Sequence, residues 1–155
     1  MHEKQIIRKA TLEDLDCIFS IEKKAFGNDH WSFDMIKNEL INEPNSITWI
    51  VQKNRIVVAY CMIRIIDKEI HMMNIAVKPE LQDLGIGRLL IEHFLNSIPY
   101  KSSVFLEVKK GNFPAINLYS SFGFEKISIR KKYYRDGSDA FVMYLRKLTN
   151  NYGMV

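Results

Sequence analysis

The chain is 155 residues long, 47% hydrophobic and 26% charged, with a formal net charge of +4. That suffices for one domain with a real core and is short for two. It has no apolar run of the ~18 residues a membrane span needs, and the opening "MHEKQIIRKATLEDLD" is charged where a secretory signal would be apolar. Basic residues are scattered, with one cluster at "RKKYYR" (130–135). Mild attraction to acidic ligands or RNA is therefore expected, and neither a specific nucleic-acid binder nor a membrane protein. Cys17 and Cys61 stand alone without metal-ligand spacing, which predicts buried thiols in a reducing cytoplasm and no metal site.

In chain order, "QIIRK" predicts a first strand. "TLEDLDCIFSIEKKAF" places Leu12, Leu15, Ile18, Phe19 and Phe26 at helical spacing behind Thr11 as N-cap. "WSFDMIKNELI" predicts a second helix capped by Ser32, with Met35, Ile36 and Leu40 on one side. Three extended runs follow, "ITWIVQK", "IVVAYCMIRII" and "EIHMMNIAV", parted by the turns "NR" and "DK". "RLLIEHFLNS" is amphipathic, with Ile86, Leu89, Leu90 and Phe94 facing inward. "SVFLEV" predicts a strand. "NFPAINLYSSFGF" predicts a short helix capped by Asn112, with Pro114 in its first turn and Gly123 ending it. "EKISIRKKYY" and "DAFVMYL" predict two last strands. The order β-α-α-β-β-β-α-β-α-β-β is that of a mixed α/β (α+β) sheet covered by helices. Residues 1–147 are expected to form one domain, with 148–155 a fraying tail.

The segment "QDLGIGRLL" sits where a strand gives way to a helix. First-turn N–H groups lack intrahelical acceptors and the helix dipole favours anions there. Glycine lets a phosphate come close to the backbone. Neither G-x-x-x-x-G-K-[ST] nor G-x-G-x-x-G fits, because Leu90 stands three residues after Gly87. Taken alone, the segment could equally be a tight turn.

Its surroundings resemble a known family. "NIAVKPELQDLGIGRLLIEHFL" resembles the acetyl-CoA-binding segment of the GNAT superfamily of N-acetyltransferases, whose signature Q/R-x-x-G-x-G/A falls on Gln82, Asp83, Leu84, Gly85, Ile86 and Gly87. "LEVKKGNFPAINLYSSFGF" is similar to a second block of the family. "KAFGNDHWSFDMI" and "RKKYYRDGSDAFVMYL" resemble segments of its RimI-type branch, the N-terminal protein acetyltransferases.

The resemblance implies a GNAT fold, a mostly antiparallel sheet of about seven strands flanked by about four helices. It implies acetyl-CoA as co-substrate and a protein N-terminus as acceptor, ribosomal protein S18 or a broader set of nascent chains. Backbone of Ile75, Ala76 and Val77 would pair with the pantetheine arm. Backbone N–H groups from Asp83 to Arg88 would hold the pyrophosphate, and the Asn112 side chain would touch the cofactor. The general base falls on Glu107 and the general acid on Tyr119. Trp31, Tyr133 and Tyr134 would border the acceptor.

Simpler roles stand beside these. Glu107 alternates with apolar strand residues and could be a solvated face. Tyr119 shares a stripe with Ala115, Ile116 and Phe122 and could be core. Trp31 could merely anchor its helix, and Asp136, Asp139, His71 and the basic cluster could be surface. Asp83 departs from a family pattern that often has a basic residue there, and Arg88 offers compensating charge. A GNAT enzyme with a lysine or small-amine acceptor would share the same donor half. A catalytically silent CoA binder is the third alternative.

Overall fold

The structure is a computed structural model that describes residues 4–153. Its strands are β1 (Gln5–Lys9), β2 (Ser46–Lys53), β3 (Ile56–Ile66), β4 (Glu69–Val77), β5 (Ser103–Lys109), β6 (Glu125–Arg130) and β7 (Ala140–Arg146). Its helices are α1 (Leu15–Phe26), α2 (Phe33–Ile41), α3 (Ile86–Ser97) and α4 (Phe113–Ser121). The element order is the one the sequence predicts. The seven strands share one sheet in the order β1-β2-β3-β4-β5-β7-β6. The pairs β1–β2, β2–β3, β5–β7 and β6–β7 are antiparallel and β4–β5 is parallel.

The chain gathers into two compact units. The first comprises Met1–Ile65 and Met73–Ile91, the second Ile66–Met72 and Glu92–Val155. In the first, β2 and β3 are joined by Asn54 and Arg55, both at positive φ (50° and 72°), the twist that a tight hairpin needs. The core is built from Leu15, Ile18 and Ile21 of α1, Ile36 of α2, Ile50, Val57, Tyr60, Met62 and Ala76. At the start of α1, Asp14 accepts two bonds from the Arg8 guanidinium (2.8 and 2.9 Å) and one from the Thr11 N–H (2.8 Å). Ser32 caps α2 by accepting from the Met35 N–H at 3.1 Å.

Three side chains in this unit face the other way from the prediction. Leu12 is exposed because its residue lies in a short 3-10 turn ahead of α1, out of phase with the helix. Met35 is 49% exposed, because α2 turns Ile36 and Glu39 inward, and Glu39 is taken up by Arg64. Cys17 is exposed on the outer side of α1, whereas Cys61 is buried in β3 as expected.

In the second unit, Glu69–His71 of β4 pair with Ser103–Phe105 of β5. Alternation along β5 buries Val104, Leu106 and Val108 and turns Phe105, Glu107 and Lys109 to the other face. Asn112 caps α4 through the Ala115 N–H (3.3 Å). Gly123 (φ +101°) carries the chain from the end of α4 toward β6. The predicted β6 was too long. It stops at Arg130, since Lys132 takes positive φ and the Tyr134 N–H bonds the Ser138 carbonyl (3.1 Å) in a turn. The Asn96 side chain both accepts from the Tyr152 N–H (2.7 Å) and donates to the Tyr152 carbonyl (2.9 Å), pinning residues expected to fray.

Candidate functional site

The first unit carries the strand-to-helix segment. The buried face of β4 includes Met72 and Ala76; Ile75 and Val77 are half-buried. The chain leaves β4 through a 3-10 turn at Pro79–Leu81, anchored where the Lys78 N–H donates to the Val58 carbonyl (2.9 Å). Asp83 (φ +65°) and Gly85 (φ +84°) both take left-handed backbone, and a Cβ on Gly85 would meet nothing within 4 Å. Glycine is thus needed there for conformation, and the open space leaves the backbone approachable. The Leu89 N–H bonds the Gly85 carbonyl (3.0 Å), which closes the first turn of α3. Ile86, Leu90, Ile91, Phe94 and Leu95 are its buried stripe, with Leu89 half-buried beside them. The N–H groups of Ile86, Gly87 and Arg88 lie in that first turn, where no intrahelical acceptor exists for them. Gln82, Asp83, Leu84 and Arg88 are exposed around the segment.

Two of the expected cofactor contacts already have side-chain partners. The Ile75 N–H donates to Asn74 Oδ1 (3.1 Å), and the Val77 carbonyl accepts from Gln82 Nε2 (3.4 Å). Asn112 uses its Oδ1 as the α4 cap.

Trp31 is half-buried and packs against the first unit's core. Its backbone N–H donates to Glu22 Oε2 at 2.9 Å. Its carbonyl lies 2.7 Å from His30 Nδ1. Trp31 is thus tied to α1 through its backbone and packs on the core as well.

The second unit brings Glu107 and Tyr133 together and adds a residue that sequence reasoning missed. Arg130 donates to Glu107 Oε1 at 2.7 Å, and the Tyr133 hydroxyl donates to Oε2 at 3.1 Å. The Arg130 guanidinium also lies over the Tyr133 ring, 4.5 Å from its centre. Burial and the nearby Glu107 carboxylate push the Tyr133 hydroxyl above its ordinary range. Glu107 is thus an exposed carboxylate with a defined orientation, which is what a base acting through water requires. Tyr134 stacks edge-on to Tyr133 (5.1 Å) and packs under the Lys109 ammonium. Asp136 pairs with Lys109 (2.8 Å) and Asp139 accepts from the Lys132 N–H (3.0 Å), so both loop acids hold the turn together. His71 pairs with Glu69 and stacks on Phe105, a surface arrangement. Tyr119 is buried at 5% exposure, its ring edge-on to Phe124.

Sequence reasoning also passed over Glu22, Tyr60 and Asn74, which meet in the first unit. The available signal was an acid on the inward stripe of α1, seven residues after Leu15 and four after Ile18. Desolvation was the warning sign, since a charge is rarely buried without partners.

Residues 11–124 match the model of the acetyltransferase (GNAT) family. The [ribosomal protein bS18]-alanine N-acetyltransferase of Escherichia coli (strain K12) is 31% identical over 85% of this chain and 90% of its own. The N-alpha-acetyltransferase of Sulfurisphaera tokodaii is likewise 31% identical, over 88% and 90%. The crystal structure of the ribosomal-protein-S18-alanine N-acetyltransferase from Escherichia coli superimposes with a TM-score of 0.85 at 28% identity, covering 94% of this chain and 96% of that one. A glycine-bearing strand-to-helix turn, a positioned glutamate on β5 and a tyrosine on α4 thus occur in a chain that matches the family model across most of its length, and the protein belongs to the GNAT acetyltransferase family as an acetyl-transferring enzyme.

Proposed function

We propose that the enzyme transfers acetyl from acetyl-CoA to the α-amino group of a protein N-terminus in the cytoplasm, with a ribosomal protein of the S18 type as its first candidate acceptor. The observation that carries this reading is similarity along nearly the whole chain to bacterial and archaeal enzymes named for acetylating N-termini. The family-model match, residues 11–124, includes Trp31 as well as the donor segment.

In this reading the backbone from Asp83 to Arg88 holds the pyrophosphate of acetyl-CoA, and Ile75 to Val77 hold its pantetheine arm. Cofactor binding then competes with the Gln82 side chain for the Val77 carbonyl. Asn112 adds a side-chain contact. A terminal ammonium has a pKa of about 8, so a carboxylate working through water can take its proton near neutrality. Glu107 is that base. The neutral nitrogen attacks the thioester carbonyl carbon and forms the C–N bond. The oxyanion is met by a backbone N–H at the end of β4. The C–S bond then breaks, Tyr119 gives its proton to the departing thiolate, and the extra proton of the new amide nitrogen leaves through water to restore the tyrosine hydroxyl. The sum is one amide, one CoA thiol and one proton released. Trp31, Tyr133 and Tyr134 border the acceptor.

The test is CoA-thiol release across peptides that vary the first residue, with N-blocked lysine peptides and polyamines as controls. Turnover is expected only with free N-termini; turnover only with lysine or polyamine overturns the acceptor class. Glu107→Gln should lower kcat at pH 7 by about 10²-fold or more and lose less at pH 9, where the amine deprotonates unaided. An unchanged rate at pH 7 removes Glu107 from the base role. Tyr119→Phe should slow turnover more than it weakens acetyl-CoA binding. Lost binding with intact turnover at saturation would make Tyr119 a packing residue.

A further inference from the structure

Glu22 is a carboxylate at 1% exposure in the core of the first unit. One of its oxygens accepts from the Tyr60 hydroxyl and from Asn74 Nδ2. The other accepts from the Trp31 backbone N–H at 2.9 Å. Asn74 in turn takes the Ile75 N–H on its Oδ1 at 3.1 Å. Tyr60 is fully buried. A chain of hydrogen bonds thus runs from the Trp31 loop, through one carboxylate, to the backbone of β4. Burial pushes the Glu22 carboxyl upward, while Tyr60, the Trp31 amide, His30 and Asn74 all pull the other way.

A buried carboxylate is an expensive way to fill space, and an apolar side chain of similar volume would commonly cost less. What an apolar residue cannot do is accept from two directions. A glutamine offers one acceptor atom where the carboxylate offers two, so it turns its amide NH₂ toward one of the donors. The donors here lie on both oxygens, an arrangement that a carboxylate satisfies in full. Both ends of the chain are backbone N–H groups of residues that the proposed reaction uses.

We infer that Glu22 is a positioning residue, which fixes the Trp31 loop on the acceptor side and, through Asn74, the amide of Ile75 on the donor side. This rests on the reading of Trp31 and Ile75 under Proposed function. It gives the first unit one shared support for its two substrate-facing segments. Loosening it therefore disturbs substrate binding more than the chemical step.

The experiment compares Glu22→Gln with Glu39→Gln. Glu39 is the matching control, a buried glutamate on α2 that pairs with Arg64. Glu22→Gln is expected to raise the acceptor KM about tenfold and the acetyl-CoA KM by a smaller factor, with kcat per folded molecule falling less than about threefold. Glu39→Gln is expected to lower the melting temperature and leave both KM values alone. Amide NMR of Glu22→Gln should show the Trp31 and Ile75 N–H resonances moving upfield as their bonds weaken. If Glu22→Gln does not fold, Tyr60→Phe, which removes one donor, should raise the acceptor KM about two- to threefold. A folded variant with both KM values within twofold of wild type, unmoved Trp31 and Ile75 amides, or an equal KM effect from Glu39→Gln would each overturn the inference. If the wild type acetylates only lysine or polyamine, the N-terminal reading fails, and Glu22 is judged on the KM for that acceptor and on the amide shifts.

Discussion

Glu107 and Glu22 show how differently one residue type can be used. Glu107 stands at the surface with Arg130 and Tyr133 as partners, and its ion pair is half-exposed, so it contributes orientation more than stability. Alternation along β5 placed Glu107 on the outer face of its strand, and the family resemblance alone singled it out as a candidate base. Arg130 was not legible, because it lies 23 residues away and meets Glu107 only once the sheet has formed. Asp14 belongs to a third class. It sits buried under the Arg8 fork, which holds its carboxyl below the ordinary range. A depressed carboxyl stabilises the fold above its unfolded pKa of about 4, and the contribution is lost as pH falls through the lower folded value. Asp14→Asn should therefore cost about 1–3 kcal/mol at pH 7, and the gap to wild type should close on acidification. Thermal melts of both proteins at pH 7 and pH 3 would check it; a gap that widens in acid would refute the assignment.

At the level of elements, local signals placed the caps and turns well. Ser32 and Asn112 cap their helices, and Asn54–Arg55 makes its hairpin. These features depend on residues a few positions apart, which is why they can be read without a fold. Helix facing was less legible. Met35 and Ile36 are equally apolar, and only packing against neighbouring elements decided that Ile36 turns in. The end of α4 is set by Gly123, whose left-handed backbone L-residues adopt at a cost of about 1–2 kcal/mol. A Cβ there would also come within 3.3 Å of Leu145 Cδ1. Gly123→Ala should destabilise the protein by about that amount or more, measured by urea midpoint at unchanged slope. An unchanged midpoint would show that the α4–β6 connection can bend another way. β6 forms one end of the sheet with every residue exposed, and Lys126 lies over Phe141, a charged edge of the kind that discourages strand-to-strand association.

For the whole molecule, the two cysteines make a simple probe. Cys17 is exposed, and Cys61 is fully buried with its thiol pushed well above the usual range by desolvation. A disulfide reagent should label one thiol quickly in the native protein and the second only on unfolding. Rapid labelling of both would mean that β3 opens readily. The same property bears on the thiol-release assay, where Cys17→Ser should remove the background. Element order, the glycine turn, the caps and the GNAT resemblance all followed from the sequence, because each is written in local periodicity or in short motifs whose backbone demands are specific. The pairing of Glu107 with Arg130 and Tyr133, the outward turn of Cys17 and Met35, the pinned tail and the buried Glu22 network were decided by tertiary structure alone. Each of these depends on which distant residues meet and on how much water is left between them, and neither quantity is carried by any short stretch of chain.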